Sequence, residues 1–136
     1  MKNERTLTII KPNATKHTTE IIEMIETAGF EIIAEKKLKL SIEQTKEFYE
    51  IHKNRPFYKE LCEFMSSDEC TVLVLSKQNA VNTYRNLMGP TNPKDAQKGT
   101  IREKFGEGIQ ENAVHGSDSL ENAEREIKFF FPELSI

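Results

Sequence analysis

The chain has 136 residues, a length that fits one domain over residues 1–136, and no apolar run approaches the ~20 residues that a membrane-spanning helix needs. Apolar residues make up 37% of the chain and include eight Phe, which argues against disorder. Nineteen basic and 22 acidic residues give a net charge of −3, unlike the positive excess of a protein that coats nucleic acid. We therefore expect neither a membrane nor a nucleic-acid partner, and an anionic ligand would need locally concentrated positive charge, helped by a metal.

The first residues carry no sign of export. Met1–Arg5 leads into a short apolar segment without the apolar stretch and small-residue cleavage site of a secretory signal. The two cysteines, Cys62 and Cys70, lack the C-x-x-C spacing of redox or zinc sites. We expect free thiols and a cytoplasmic location.

Two strands with a helix between them are predicted at the start of the chain. Arg5–Ile10 has the apolar pattern of a strand. Thr18 or Thr19 is expected to cap the following helix, which Gly29 ends. Phe30–Leu40 is typical of a second, longer strand.

The middle of the chain predicts two short helices and a buried strand. Ser41-Ile42-Glu43-Gln44 has the pattern of a capping box. The helix that it opens breaks at Arg55-Pro56, because the residue before a proline is pushed out of helical geometry. Apolar residues between Leu61 and Met65 indicate a second helix, and Thr71–Leu75 is a nearly continuous apolar run that favours a central strand.

A long polar loop separates the last elements. A helix over positions 81–88 precedes Gly89–Gly99, and a loop of this length in a small domain is usually functional or mobile. Asn112–His115 predicts a short strand, and Asp118 with Glu121 predicts a capping-box start to the last helix. This order of elements implies one sheet with helices mainly on a face, in an α+β or α/β sandwich.

His115 is the polar residue with the most suggestive position. The chain has no phosphate-binding glycine loop, no H-E-x-x-H and no paired Cys/His metal site, so side chains would have to handle any phosphate. His115 follows a short apolar strand and precedes Gly116, which would leave room for a substrate. The alternative is a strand-end histidine that donates to a backbone carbonyl. His17 and His52 have no such context and are interpreted as ordinary polar residues.

Five motifs occur in the order and spacing seen in nucleoside diphosphate kinases: Lys11-Pro12, Arg55-Pro56-Phe57, Thr91-Asn92-Pro93, Gly99-Thr100-Ile101-Arg102 and His115-Gly116-Ser117-Asp118-Ser119. The chain resembles that family over nearly its whole length, and its short C-terminus is similar to the bacterial type. The resemblance implies a ferredoxin-like α+β fold, a βαββαβ sandwich whose antiparallel sheet has helices packed on it. It also implies transfer of the terminal phosphate of a nucleoside triphosphate, usually ATP, to a nucleoside diphosphate.

The resemblance assigns the chemistry to His115, which attacks the terminal phosphoryl group and carries it as a phosphohistidine. A free imidazole is largely neutral near pH 7, and a covalent carrier divides the transfer into two steps with ping-pong kinetics. Glu126 matches the glutamate that orients the ring, and Tyr49 a tyrosine whose hydroxyl lies near it. Ser117 matches a secondary contact, and Lys11 reaches the transferred group and the sugar.

The resemblance also implies a nucleotide-binding set. Arg85, Thr91 and Arg102 bind the phosphates, with Mg²⁺ carried on the nucleotide. Phe57 stacks on the base, which tolerates any base because each has a π face, and Asn112 binds a sugar hydroxyl. Plainer interpretations are an exposed helix residue for Arg85 and a core aromatic for Phe57.

Two alternative functions stay open from the residues. A non-catalytic phosphohistidine carrier would need a donor kinase and no nucleotide-binding set. A nucleic-acid-binding regulator with the same fold is disfavoured by the negative net charge. The family forms hexamers, or tetramers in some bacterial members, so a homo-oligomer is expected.

One departure from the family lies beside Lys11. The family usually follows Lys-Pro with an acidic residue and glycine, whereas this chain has Asn13 and Ala14. We expect the change to alter the turn between the first strand and helix without touching the reacting atoms.

Overall fold

A computed structural model describes residues 3–134. Within them, strands and α-helices follow in this order: β1 (Glu4–Ile10), α1 (Thr18–Thr27), β2 (Glu31–Leu38), α2 (Ile42–Phe48), α3 (Tyr58–Met65), β3 (Cys70–Lys77), α4 (Ala80–Met88), α5 (Ile101–Phe105), β4 (Val114–Gly116) and α6 (Leu120–Phe130). Short 3₁₀ helices cover Pro12–His17, Glu50–His52 and Pro93–Asp95. The order of elements agrees with the sequence pattern.

The four strands form one antiparallel sheet in the order β2-β3-β1-β4. In its centre Leu7 of β1 lies opposite Val74 of β3, and on the other side Ile9 lies opposite His115 of β4. Every pairing is antiparallel, so the fold is α+β as expected, and the α/β alternative is wrong.

Helices cover both faces of the sheet, whereas the order of elements suggested mainly one. Alternate side chains of a strand point to opposite faces, so Val72 and Val74 enter one core while Leu73 and Leu75 enter the other. Helices α2, α3 and α6 complete the first core, and α1, α4 and α5 complete the second. The β3 strand between the cores is buried along nearly its whole length, as its continuous apolar run predicts.

Helix ends follow the local sequence at one site and differ at another. At Ser41 the capping box is confirmed, because the Gln44 amide donates to Ser41 Oγ (3.1 Å) and the Ser41 amide donates to Gln44 Oε1 (2.8 Å). The predicted Thr18 or Thr19 cap is wrong. The 3₁₀ helix runs directly into α1, and the Thr18 hydroxyl instead donates to the Thr15 carbonyl (2.6 Å).

The cap of α6 also differs from the prediction. Ser119 is the N-cap and accepts from the Asn122 amide at 3.1 Å. Asp118 lies one residue too early for that role and accepts from the Asn122 side chain at 2.6 Å. Both cysteines are buried free thiols, as expected. No helix within residues 3–134 is long and apolar enough to cross a bilayer.

Candidate active site

A cavity of about 430 Å³ opens beside β4, between α4, α6 and the segment that joins α2 to α3. Its wall contains nine of the ten residues for which the sequence predicts a role: Lys11, Tyr49, Phe57, Arg85, Thr91, Arg102, Asn112, His115 and Glu126. The tenth, Ser117, lies behind the wall and contacts Glu126. The fold therefore brings together residues that are up to 115 positions apart in the chain.

Glu126 of α6 holds the imidazole of His115. His115 Nε2 lies 2.8 Å from Glu126 Oε1, and the Ser117 hydroxyl donates to the same oxygen at 2.7 Å. Burial alone would raise the pKa of Glu126. The His115 charge and the hydrogen bonds from His115 and Ser117 outweigh that effect, and the pKa is lowered. The side chain is therefore an ionised acceptor at neutral pH, although it is only 6% exposed.

The proton on the His115 ring follows from this contact. A carboxylate can only accept, so Nε2 carries the hydrogen, and in the neutral ring Nδ1 carries the free lone pair. The side chain of His115 is 20% exposed and lines the cavity. The plainer interpretation, donation to a backbone carbonyl, is wrong because the partner is a carboxylate.

Aromatic rings fix the imidazole from the core side. Phe48 lies at 5.5 Å and Tyr49 at 6.3 Å between ring centroids, both at steep interplanar angles. The Tyr49 hydroxyl is buried and has no hydrogen-bond partner within residues 3–134. Burial first, and then the charge of Glu126, raise the pKa of Tyr49 far above its usual range, so the group remains a donor.

Gly116 lines the cavity, where the sequence predicts room for a substrate, and it also packs closely against α4. A Cβ built on Gly116 would lie 3.0 Å from Tyr84 Cδ2 and 3.1 Å from Met88 Sδ. Tyr84 is fully buried, and its hydroxyl is 2.6 Å from Thr8 Oγ1. The glycine therefore also allows close packing of α4 against β4.

Lys11 lies at the end of β1 with its ammonium group in the cavity wall. Nζ donates to Asn112 Oδ1 at 2.8 Å and to the Gln110 carbonyl at 3.4 Å. Burial lowers the pKa of Lys11 to about 7, the Arg102 charge acts in the same direction, and Glu111 opposes both. An incoming anion would favour its protonated form.

Arg102 of α5 is a buried cation whose guanidinium is already partly engaged. It donates to the Gly89 carbonyl at 3.0 Å, the Val114 carbonyl at 2.9 Å and the Asn112 carbonyl at 3.3 Å. Three of its five N–H groups are thus used, and two are left. Burial lowers the pKa of Arg102 to about 10. Two smaller effects act in opposite directions, because Tyr84 raises this pKa and the Arg85 charge lowers it. The guanidinium is therefore charged at neutral pH.

The remaining polar residues of the wall lie closer to solvent. Arg85 on α4 is exposed, and Thr91 is exposed in the loop that follows. The Asn112 side chain donates to the Thr91 carbonyl at 2.9 Å and accepts from Lys11. Asn112 therefore links the loop that contains Thr91 to the ammonium group of Lys11.

Apolar side chains surround the mouth of the cavity. Phe57 is 44% exposed and Ile109 is 63% exposed, so Phe57 is not the core aromatic of the plainer interpretation. Ile109 was missed from the sequence, although a large apolar residue beside Gly108 in a polar stretch is a usable signal. Ile51 was missed as well and is also exposed at the cavity.

Two further cavity residues were given no role from the sequence. His52 lies 5.5 Å from the Phe57 ring, and burial, followed by the Arg55 charge, lowers its pKa. Arg125 Nη2 lies 3.7 Å from Glu126 Oε2. Neither position has a spacing signal, because each reaches the cavity only through the packing of its helix.

The site has no cage for a metal ion. Within residues 3–134 no group of three or more His, Cys, Asp or Glu side chains is placed to hold one. The charged wall instead combines Lys11, Arg85 and Arg102, which suits phosphate groups.

Comparisons with known proteins identify the family of the chain. The family model described as nucleoside diphosphate kinase matches residues 4–136. A nucleoside diphosphate kinase of Wolbachia sp. subsp. Drosophila simulans (strain wRi) is 54% identical over 100% of this chain and 99% of the relative. One from Campylobacter fetus subsp. fetus (strain 82-40) is 56% identical over 98% of each.

Solved structures show the same likeness in three dimensions. The nucleoside diphosphate kinase of Aquifex aeolicus superposes with a TM-score of 0.92 at 40% identity over 95% of each chain. That of Encephalitozoon cuniculi has a TM-score of 0.90 at 38% identity, over 94% of this chain and 88% of the other. The chain belongs to the nucleoside diphosphate kinase family, phosphotransferases that act on nucleoside di- and triphosphates by a ping-pong mechanism.

Proposed function

We propose that His115 carries the phosphate in this kinase, with ATP as the usual donor. The observation that supports this most strongly is the hydrogen bond between His115 Nε2 and Glu126 at 2.8 Å, which leaves Nδ1 as the nucleophilic atom. Nδ1 attacks the terminal phosphorus, the N–P bond forms, and the bond to the bridging oxygen breaks with its electron pair on the diphosphate. A terminal oxygen of the second nucleoside diphosphate then attacks the phosphohistidine and regenerates the ring.

Glu126 stabilises the ring during this transfer. As the N–P bond forms, the imidazole gains positive charge, and a fixed carboxylate on Nε2 opposes that charge without reorganising. Ser117, which donates to the same carboxylate oxygen, holds it in place. The Tyr49 ring lies 6.3 Å from the imidazole between centroids, and its buried hydroxyl is available as a donor.

Lys11, Arg85 and Arg102 bind the phosphates in this proposal, together with Thr91. Phosphoryl transfer depends chiefly on positioning and neutralisation of charge, and arginine can hold two phosphate oxygens at once. Mg²⁺ would come with the nucleotide and neutralise part of the phosphate charge, beside the cations of the wall.

Phe57 and Asn112 bind the nucleoside. The exposed Phe57 ring offers a stacking surface for purines and pyrimidines alike. Asn112 keeps one amide hydrogen and one oxygen lone pair beyond its contacts to Lys11 and Thr91, which suffices for a sugar hydroxyl. Ile109, which also lines the cavity, packs its apolar side chain against the base in this proposal.

We also propose a single domain over residues 1–136 that assembles as a tetramer or hexamer in the cytoplasm. Within residues 3–134, strand β2 at the edge of the sheet pairs only with β3, which leaves its outer side for a subunit contact. Light scattering should give four or six times the 15.7 kDa chain mass, and the monomer mass would contradict the assembly. The buried free thiols suit a reducing compartment.

The transfer through His115 can be tested in two steps. Purified protein is incubated with γ-labelled ATP and Mg²⁺, isolated, and then mixed with GDP or CDP. We expect acid-labile label on the protein in the first step and its transfer to GTP or CTP in the second. His115→Ala should take up no label, whereas His17→Ala, outside the cavity, should behave as the unmodified chain does. Equal labelling of His115→Ala would refute the role, and labelling only after addition of a donor kinase would indicate a carrier.

A further inference from the structure

Asn13 lies where the chain departs from the family's usual acidic residue, and its side chain reaches a loop far along the sequence. Nδ2 donates to the Glu111 carbonyl at 3.1 Å and to Glu107 Oε1 at 3.3 Å. We name Gly106–Glu111 the 106–111 loop. Asn13 therefore connects the turn that follows Lys11 with this loop.

The Glu111 carbonyl is the point at which the 106–111 loop closes. It accepts from the Glu107 amide at 2.7 Å and from the Gly108 amide at 3.3 Å, in addition to Asn13. The tip of the loop carries Ile109, which lines the cavity and is 63% exposed. The Asn13 contact thus lies at the base of the loop whose tip carries Ile109.

The two groups that face the Asn13 amide both accept hydrogen bonds. The opposite amide orientation would place Oδ1 against a carbonyl and a carboxylate, so Nδ2 must face them. An aspartate has no donor to offer and would add a negative charge beside Glu107. Asparagine is therefore the residue of this shape that allows the contact.

We propose that Asn13 is a positioning residue that holds the 106–111 loop at the cavity and thereby sets the affinity for the nucleoside. This inference rests on the proposed function, because it takes Ile109 to contact the base. The hydrogen bonds of Asn13 go to Glu107 and Glu111 and not to His115 or Glu126, so we expect the phosphoryl transfer step itself to be unchanged.

Asn13→Asp tests this with almost no change of shape. The KM for GDP and for ATP should rise roughly tenfold, because two hydrogen bonds are replaced by repulsion, while kcat stays within about twofold. Asn82→Asp makes the same substitution at an exposed position of α4 that does not line the cavity, and should leave both constants unchanged. In the double variant Asn13→Asp/Glu107→Gln, the glutamine amide can donate to the aspartate, and part of the KM rise should disappear, because the hydrogen bond to the Glu111 carbonyl is not restored.

A phosphoryl donor without a nucleoside separates this inference from the proposed function. Phosphoramidate should label His115 at the same rate in Asn13→Asp as in the unmodified chain. An unchanged KM in Asn13→Asp, or an equal loss of labelling by phosphoramidate and by ATP, would overturn the inference while labelling still depended on His115. Labelling that survives His115→Ala would instead overturn the proposed function.

A second variant covers the case in which Asn13→Asp does not fold. Asn13→Ala removes both donated hydrogen bonds without adding charge, and should raise the nucleotide KM roughly threefold with an unchanged kcat. A folded Asn13→Ala protein with the KM of the unmodified chain would overturn the inference.

Discussion

Replacing Glu126 by glutamine tests whether its charge, rather than its shape, prepares His115 for attack. The carboxylate accepts from His115 Nε2 at 2.8 Å and from Ser117 Oγ at 2.7 Å, and both contacts converge on Oε1. Glutamine can keep an accepting oxygen at that position, so the ring orientation is retained. What is lost is the negative charge that opposes the charge developing on the imidazole.

The size of the effect follows from the difference between charged and neutral hydrogen bonds. A bond to a charged group contributes about 1.5–3 kcal/mol and a neutral one about 0.5–1.5 kcal/mol, so the loss is about 1–2 kcal/mol. That corresponds to roughly 5- to 30-fold slower formation of the phosphohistidine in Glu126→Gln. The KM for ATP should change little, since Glu126 is not among the residues that we assign to the nucleotide.

Rapid-quench measurement of label transfer from γ-labelled ATP in a single turnover gives this rate directly. Glu124→Gln, an exposed neighbour on α6, is the matched control and should retain the rate of the unmodified chain. A Glu126→Gln rate within twofold of the unmodified chain would refute the electrostatic role. A raised KM at an unchanged rate would assign Glu126 to binding instead.

The same variant has a stability signature that depends on pH. The folded pKa of Glu126 is lowered, so its carboxylate stabilises the fold above the unfolded pKa, and this contribution disappears as the pH falls through the folded value. Glu126→Gln should therefore reduce the free energy of unfolding more at pH 7 than below pH ~4. Urea denaturation at both pH values measures the difference, and an equal loss at both would contradict the lowered pKa.

Three further predictions concern the walls of the cavity. Gly116→Ala should lower the free energy of unfolding in urea by about 1–3 kcal/mol, because its Cβ would lie 3.0 Å from the buried Tyr84 ring; an unchanged value would mean that α4 yields easily. The protein should take up roughly one proton when a nucleotide binds at pH 8. The reason is that the pKa of Lys11 is about 7 without nucleotide and that bound phosphate raises it. Calorimetry in two buffers of different ionisation enthalpy measures the uptake, and its persistence in Lys11→Met would assign the proton to another group. Phe57→Ala should raise the KM for GDP and for CDP by similar factors of roughly 5 to 150, the loss of ~1–3 kcal/mol of stacking, and a large rise for one base alone would contradict a nonselective stacking surface.

Elements set by neighbouring residues could be predicted from the sequence. The Ser41 capping box depends on groups three positions apart, and the apolar run in β3 depends on composition alone. Both patterns can be recognised from residues close together in the chain, which is why the order of strands and helices could be predicted. The spacing of the motif residues likewise identified the family.

Other features depend on contacts that the chain makes only when folded. The N-cap of α6 is Ser119 rather than the predicted Asp118, and it follows a β4 strand that extends through Gly116. The helices divide between two faces because β3 is buried on both sides. Neither the position of this N-cap nor the division of the helices between the two faces can be predicted from the residues of a single turn or strand.

The amino-acid sequence by itself determined which residue types are present and in what order, and through the family resemblance it predicted a nucleophile and a set of phosphate-binding cations. Only the tertiary structure decided the hydrogen bonding and burial of these side chains. Arg102 donates to three backbone carbonyls, and Lys11 is buried near it. The tertiary structure also places Ile109 at the mouth of the cavity. The physical reason is that hydrogen bonding, desolvation and exposure depend on atoms brought close from distant parts of the chain.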